Sequence, residues 1–455
     1  MRDLTTGTPI KLIFLFTIPL LIGNIFQQFY NMVDMIIVGQ TLGTNSLAAV
    51  GATGSISFLI IGFAQGMTSG LAIITAQRYG AQDLRGVKRS FATSSIISLI
   101  VTIILTALSL IFLRPLLILM QTPAEIIDQS QEFIQVILGG IFAAMAYNLL
   151  SNMLRALGDS RTPLVFLIVA VIINVVLDIV FITTFHMGVA GAGYATVIAQ
   201  LAASLGCFIY IKRKIPNLQL RRKDFQLSKQ DFREHLNVAL PMGFQSSIIA
   251  IGAVILQSAL NSLGTKEVAA QAAASRIDQI SMQPMMSFGV AMATFTAQNY
   301  GAKKYGRILT GAKQTLILSG SFSILAGALI IIFGRALVGL FVPQSDTEVF
   351  DLAQIYFIIN GSLYWVLATL FIVRYTLQGL GQSVVPTIAG IMELIMRSLA
   401  ALVLTSLFGY AGAAAASPLA WIGSVVILLF SFFKAIKKLR QLDAQQQLSL
   451  EQEIK

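Results

Sequence analysis

Long apolar segments follow one another along this chain, with only short polar interruptions between them. Each is long enough to cross the hydrocarbon core of a bilayer, which takes about 20 residues of α-helix. The segments fall near residues 11–39, 46–77, 91–113, 131–157, 162–185, 188–211, 235–260, 267–299, 308–333, 351–380, 385–408 and 412–433. This pattern predicts an all-α polytopic membrane protein with twelve transmembrane helices. The first segment is too long for the apolar region of a signal peptide, so we expect it to be a retained helix.

The second half of the chain repeats the first. The heptapeptide TAQRYGA at 75–81 returns as TAQNYGA at 296–302, and LRALGDSRTP at 154–163 returns as LQGLGQSVVP at 377–386. Both matches have nearly the same shift, 221 and 223 residues. Because each repeat holds six apolar segments, both have the same orientation in the membrane. We therefore expect two six-helix lobes related by a pseudo-two-fold axis along the membrane normal.

One long polar segment separates the two repeats and sets the expected domain limits. Residues 1–211 form the predicted N-terminal lobe, and residues 235–440 form the predicted C-terminal lobe. The basic segment 212–234 is the expected cytoplasmic linker, and residues 441–455 are an expected polar cytoplasmic tail. At the end of the linker, His235 is expected to be solvated.

Composition agrees with a membrane protein, since 56% of the residues are hydrophobic, 11% are charged and the mean hydropathy is +0.79. The net charge of +11 comes from basic side chains at every second polar connection between the apolar segments, so that they collect on one side of the membrane. The outer segments hold only Arg114, Lys266 and Arg335. The inner segments hold Arg78, Arg85, Lys88, Arg89, Arg155, Arg161, the run from Lys212 to Arg233, Lys303, Lys304, Arg307, Lys313 and the run from Lys434 to Arg440. This asymmetry predicts a plasma (inner) membrane protein with both termini in the cytoplasm, and it explains the basic character without nucleic acid.

A single cysteine and two histidines favour neither a disulfide nor a structural metal cluster.

Polar residues inside three apolar segments of the first repeat fall at similar depths. Asp34 and Tyr30 in helix 1, Asn174 and Asp178 in helix 5 and Thr196 in helix 6 lie about 9 to 16 Å from the outer helix ends. A charged side chain in the membrane costs about 2.5–3.5 kcal/mol on translocon scales, so such residues usually have a function. This oxygen-rich set suits Na⁺, and its two carboxylates could share a proton instead. We expect a cation or proton to be the missing partner.

The second repeat carries different chemistry, because its helix 7 has no acid. Its deep ionisable residues are expected to form a neutral cross-helix network; the alternative is that Asp278 or Glu393 contacts a cationic substrate or tunes the switch between states. Glu393 and Arg397 are spaced i,i+4 and can pair, whereas Arg276 and Asp278 are spaced i,i+2 and should point apart. Two methionines of helix 8 are candidates for an adaptable apolar pocket or for plain packing. The positions concerned are Arg276, Asp278, Met282, Met286, Glu393 and Arg397.

These segments resemble the multidrug and toxic compound extrusion (MATE) transporters of bacteria. The resemblance covers nearly the whole chain and is most specific in PLLIGNIFQQFYNMVDMIIVG of helix 1, NVVLD of helix 5 and GVAGAGYAT leading into helix 6. It implies that Asp34, Asn174, Asp178 and Thr196 bind the coupling cation, H⁺ or Na⁺. It also implies that Tyr30 and Asn148 line the site and that helix 1 bends at Pro19.

The resemblance implies a secondary active antiporter that exports organic compounds, often cationic and aromatic, in exchange for H⁺ or Na⁺. It implies no cofactor, and the internal repeat is compatible with a monomer. An alternative is a flippase for lipid-linked saccharides of the same superfamily, but that function predicts several arginines in the helices of the first lobe. An intramembrane aspartyl protease would need a motif such as G-x-G-D around its acids. The chain also lacks a nucleotide-binding P-loop.

Overall fold

The computed structural model describes residues 3–120, 122–226, 228–340 and 346–454, and the regular secondary structure of these residues is entirely helical. A π-helical turn, Val180–Thr184, follows α7, and short 3₁₀ turns at Pro216–Leu218 and Arg222–Phe225 follow α8. The first repeat consists of α1 (Pro9–Leu42), α2 (Thr44–Ala52), α3 (Gly54–Gly80), α4 (Leu84–Leu119), α5 (Ile127–Gly139), α6 (Ile141–Ala156), α7 (Arg161–Ile179) and α8 (Gly188–Lys214).

The second repeat has the same order of membrane spans. A second π-helical turn, Ala400–Leu404, follows α14. The helices are α9 (Lys229–Asn261), α10 (Thr265–Gly301), α11 (Tyr305–Val338), α12 (Thr347–Gly361), α13 (Tyr364–Gly379), α14 (Val384–Leu399), α15 (Thr405–Phe408), α16 (Tyr410–Ala414) and α17 (Ala416–Ile454). One helix, α10, takes the place of α2 and α3 here, and two short helices, α15 and α16, precede α17.

Within the described residues, twelve spans account for the twelve predicted segments. Nine are single stretches long and apolar enough to cross a membrane. Two more are bent pairs, α5 with α6 at 44° and α12 with α13 at 46°. The twelfth is α10, which has 37 residues but is more polar than the others because Lys266, Glu267, Arg276 and Asp278 all lie in its first half.

The repeat is also visible in the backbone. Gly158 and Gly381, which are 223 residues apart, have φ of 83° and 80°. Gln82 and Lys303, which are 221 residues apart, have φ of 58° and 57°. All four end a turn on the side of the protein that the charge asymmetry predicts to be cytoplasmic, which we call the inner side. All four also lie in the left-handed region, where a helix commonly terminates. The same turn geometry therefore closes corresponding helices in both repeats.

The structure divides into two compact units, and their boundaries do not coincide with those of the two repeats. The boundaries differ at the first helix of each repeat, α1 and α9. One unit contains Ile22–Ser247, and the other contains Asp3–Leu21 together with the chain from Ile248 onward. The inner half of α1 thus belongs to the unit of the second repeat, and the inner half of α9 belongs to the unit of the first. The change of unit lies three residues after Pro19 in α1 and seven residues after Pro241 in α9.

The chain before α1 is held inside the second unit by side chains at the inner ends of α10 and α11. The Leu4 backbone N–H donates to Gln298 Oε1 (3.1 Å), and the Leu4 carbonyl accepts from Asn299 Nδ2 (3.1 Å) and Arg307 (3.2 Å). Lys304 Nζ donates to the Thr5 carbonyl (2.8 Å). Because Leu4 is also fully buried, the N-terminal segment is anchored there.

The beginning of α9 is held in the first unit by a corresponding group of contacts. Asp231 accepts from Arg78 (2.7 Å) and Arg89 (2.5 Å). His235 is fully buried, with its ring nitrogens 2.7 Å from Ser90 Oγ and 2.6 Å from the Asp231 carbonyl oxygen. The expectation that His235 is solvated was therefore wrong, because its helix begins against α4 rather than in open solvent.

Candidate functional site

Five of the residues singled out in the first repeat lie together on α1, α7 and α8. We call Tyr30, Asp34, Asn174, Asp178 and Thr196 the polar cluster. The Tyr30 hydroxyl lies 3.0 Å from Thr196 Oγ1. With its amide oriented to satisfy both ends, Asn174 donates from Nδ2 to Asp178 Oδ2 (2.9 Å) and accepts at Oδ1 from the Thr196 backbone N–H (3.2 Å). The i,i+4 spacing in α7 places Asn174 and Asp178 on one face of the helix.

The two carboxyl groups of the polar cluster contact each other. Asp34 and Asp178 are within hydrogen-bonding reach, which requires a proton on one of them or a cation beside them. Asp178 and Asn174 are fully buried, whereas Asp34 is half-buried. Oδ1 of Asp34 and Oδ1 of Asp178 are buried and have no hydrogen-bond partner in the structure. Two carboxylate oxygens with free lone pairs, beside hydroxyl and amide oxygens, fit a proton or a hard monovalent cation.

A change in helix geometry follows directly after Asp178. The α-helix gives way to the π-helical turn Val180–Thr184, which inserts an extra residue into the helical repeat. Such turns occur frequently at functional sites because they re-aim the side chains beside them. This one positions Asp178 at the boundary between two helical geometries.

Two other candidates of the first repeat lie outside the polar cluster. Asn148 donates from Nδ2 to the Ala144 carbonyl of its own helix (2.8 Å), and this is the hydrogen bond that the structure assigns to its side chain. Pro19 is buried in the inner half of α1, eleven residues before Tyr30. The cluster therefore contains Tyr30 but does not include Asn148.

In the second repeat, Asp278 is buried between two tyrosines. Its carboxylate accepts from Tyr356 (2.9 Å, at Oδ2) and from Tyr364 (at Oδ1). Arg276, two residues earlier in α10, is exposed. The expectation from i,i+2 spacing that the two side chains point apart agrees with this arrangement.

A separate buried ion-pair group lies on α13 and α14, and we call Arg374, Glu393 and Arg397 the arginine cluster. Glu393 pairs with Arg397 (3.3 Å), as the i,i+4 spacing predicts, and with Arg374 (2.7 Å), which also donates to Ser424 (3.1 Å). Sequence analysis missed Arg374. It is the one basic residue within the apolar segment 351–380, and that interruption was the available signal.

The two candidate methionines of α10 lie toward its accessible face. Met282 is half-buried and Met286 is 38% exposed, whereas the neighbouring Met285 and Met292 are fully buried in the core. The methionine run therefore divides between packing and an accessible face.

An all-helical membrane protein made of two six-helix repeats, with buried carboxyl groups at membrane depth, has the architecture of a secondary transporter. A family model described as MatE matches residues 19–180 and 241–403, one segment in each repeat. The chain belongs to the MATE family of membrane transporters, so it is a transporter and not an enzyme, and the predicted fold class is confirmed.

Individual relatives agree with this assignment. The probable multidrug resistance protein YpnP of Bacillus subtilis is 32% identical over 76% of this chain and 78% of its own. The probable multidrug resistance protein NorM of Thermotoga maritima is 25% identical over 91% of this chain and 88% of its own. A solved structure described as the outward-facing conformation of a multidrug resistance MATE family transporter covers 96% of this chain and 98% of its own, with a TM-score of 0.88 and 25% identity.

Proposed function

We propose that this protein is an antiporter that exports organic compounds, often cationic and aromatic, in exchange for H⁺ or Na⁺. The names of its relatives, which refer to multidrug resistance, support an exporter of drug-like molecules. We also propose that it works as a monomer in the plasma (inner) membrane, with both termini in the cytoplasm. The positive charge of its inner segments supports that orientation.

One observation carries the coupling proposal, namely the contact between Asp34 and Asp178. Two carboxylates cannot both be ionised at this distance in a low-dielectric site without a positive partner. Among the described residues of the cluster there is no such partner, since its other members are a tyrosine, an asparagine and a threonine. An entering H⁺ or Na⁺ supplies the missing charge.

In the proposed cycle, the ion binds from outside and substrate leaves to the outside. Binding of one monovalent cation compensates one of the two carboxylate charges of Asp34 and Asp178, which relieves the repulsion between the outer half of α1 and α7. Pro19 lacks the backbone N–H that would bond to Leu15, so α1 bends there at low cost as its outer half moves. Substrate release and ion uptake are therefore linked through one helix.

The test is ethidium movement in proteoliposomes under an imposed pH gradient, and then under an imposed Na⁺ gradient. We expect one gradient to drive accumulation in the wild type and neither to do so in Asp178→Asn. The matched control is Asp128→Asn, because the Asp128 side chain is 82% exposed and lies outside the cluster. The gradient that drives movement identifies the coupling ion.

Full coupled transport by folded Asp178→Asn would remove Asp178 from the coupling site. Ethidium movement in neither gradient, with correctly inserted wild-type protein, would contradict export of cationic dyes. The lipid-linked saccharides that the wider superfamily carries would then be the substrates to test.

A further inference from the structure

The arginine cluster carries an unbalanced positive charge inside the membrane portion of the second repeat. Its members, Arg374, Glu393 and Arg397, are each at most 8% exposed, and they contribute two positive charges and one negative charge. Among the described residues, Glu393 is the only acid that pairs with either arginine. A buried net charge is expensive in the membrane, so a compensating partner is expected.

A change of protonation cannot remove this charge. A guanidinium group stays protonated throughout the physiological pH range, and protonation of Glu393 would raise the net charge of the cluster from one to two. The polar cluster is the opposite case, because its two carboxyl groups call for a proton or a cation. The charge of the arginine cluster calls for an anion.

Both arginines also keep a hydrogen-bond donor without an acceptor. Nε of Arg374 and Nε of Arg397 are buried, and neither has a partner in the structure. The hydrogen bonds that the structure assigns to these two side chains come from Nη2, to Glu393 from both and to Ser424 from Arg374. The planar donors of a guanidinium group match the oxygens of a carboxylate or phosphate group. An anionic group of this kind therefore fits the cluster.

The arginine cluster has nearly the same place in the second repeat as the polar cluster has in the first. Asn174 and Asp178 lie six and two residues before the π-helical turn of the first repeat. Glu393 and Arg397 lie seven and three residues before the π-helical turn of the second. Both pairs are spaced i,i+4 on the fifth span of their repeat. Corresponding parts of the two repeats thus carry excess charges of opposite sign.

The first helix of each repeat approaches its cluster at corresponding positions. Tyr30 lies eleven residues after Pro19, and Gly252 lies eleven residues after Pro241. A Cβ atom at Gly252 would lie only 3.1 Å from Nη1 of Arg397. The lack of a side chain at Gly252 therefore leaves room for the arginine head group against α9.

We propose that Arg374 and Arg397 bind a carboxylate or phosphate group of the transported compound. This inference rests on the proposed export function, and it extends the substrate class to compounds in which an acidic group accompanies the cationic aromatic part. Glu393 holds the two guanidinium groups in place and leaves one positive charge for the substrate. The binding is noncovalent and needs no further reactant.

The test is dye binding to the purified full-length protein, measured by fluorescence polarisation with rhodamine 110 and rhodamine 123. The two dyes share one cationic aromatic ring system, but rhodamine 110 has a free carboxylate where rhodamine 123 has a methyl ester. We expect the wild type to bind rhodamine 110 about tenfold more tightly than rhodamine 123. Inorganic phosphate should compete with rhodamine 110 and not with rhodamine 123.

We expect Arg397→Gln to lose the preference for rhodamine 110 and to bind rhodamine 123 as the wild type does. This variant keeps the 2.7 Å ion pair between Arg374 and Glu393, so the group that remains is neutral. Arg335→Gln is the matched control, because Arg335 pairs with one acid, Asp351, and its side chain is 53% exposed.

Gly252→Ala gives a second test in which no charge changes. The new methyl group would push the Arg397 head group aside by a few tenths of an ångström. We expect rhodamine 110 to bind about threefold more weakly and rhodamine 123 to bind as before.

Equal affinity of the wild type for the two dyes would overturn the proposal, and so would an equal loss of both dyes in Arg397→Gln. A preference that inorganic phosphate does not reduce would place the carboxylate elsewhere. Binding of rhodamine 123 without any preference would leave the export of cationic aromatic compounds standing, whereas binding of neither dye would contradict that function as well.

Discussion

At the scale of single residues, Thr196 joins the other members of the polar cluster. Its hydroxyl contacts the Tyr30 hydroxyl of α1 at 3.0 Å, and its backbone N–H donates to Asn174 of α7. One threonine therefore fixes the relative positions of side chains from two other helices. A fully buried polar group that loses its partner costs about 1–3 kcal/mol, and the half-buried contact of Thr196 with Tyr30 falls at or below the lower end of that range.

We expect Thr196→Val to weaken binding of the coupling ion about tenfold, because the Tyr30 hydroxyl loses the partner that holds it within the polar cluster. The measurement is the ion concentration that gives half-maximal transport. Thr183→Val is the control, since the Thr183 hydroxyl is exposed and bonds to the Ile179 carbonyl of its own helix. Equal ion dependence in both variants would contradict this role of Thr196.

Residues that act within one helix face could be predicted from the sequence, whereas residues with distant partners could not. The spacing in α7 and the depth along α1 were enough to bring Asp34, Asn174 and Asp178 together. The position of His235 depends on Ser90, which lies 145 residues away. The apolar and polar residues next to His235 in the sequence do not indicate a contact with so distant a residue, so the burial of His235 was missed.

At the scale of helices, both repeats contain the same irregularities at corresponding places. A bend of 44° to 46° divides the fourth span of each repeat, and a π-helical turn interrupts the fifth. Apolar segment length predicted these spans but not their bends. Each bend nevertheless lies at a pair of small residues, Gly139–Gly140 and Gly361–Ser362, where helices commonly kink. Pro19 is a third such position, because proline removes a backbone hydrogen bond within α1.

We expect Pro19→Ala to slow transport about tenfold while leaving ion binding unchanged. The new backbone N–H can bond to the Leu15 carbonyl, and part of the roughly 3 kcal/mol that an interior proline costs a helix then opposes bending. The measurement compares initial efflux rates with ion affinity. Pro115→Ala in α4 is the matched control, because Pro115 is exposed near the outer end of its helix. An unchanged rate in Pro19→Ala would argue against bending there.

At the scale of the whole molecule, sequence predicted the two repeats but not the compact units. The repeated sequence motifs show where each repeat begins and ends, and they indicate six apolar spans on each side of the linker. They carry no information about which unit the inner half of a helix packs with. That depends on contacts such as those of Leu4 with Asn299 and of Arg78 with Asp231.

The proposed orientation gives a prediction for the chain as a whole. In a Cys207→Ser background, which loses only a buried thiol, we expect His186→Cys to react with a membrane-impermeant maleimide on intact cells. We expect Gln226→Cys, at an exposed position of the linker, to react only after the cells are permeabilised. Labelling in the opposite order would reverse the proposed topology.

The exchange of inner half-helices between the two units bears on the origin of the duplicated gene. A product with one repeat would carry an inner half of its first helix that has no place in its own unit. In a dimer of two such copies, the inner half-helix of each copy could pack in the unit of the other, as in a domain-swapped homodimer. Fusion of the two genes through a segment like 212–234 would make the exchange intramolecular. On this view, the present chain corresponds to a domain-swapped dimer whose two subunits have been joined into one polypeptide.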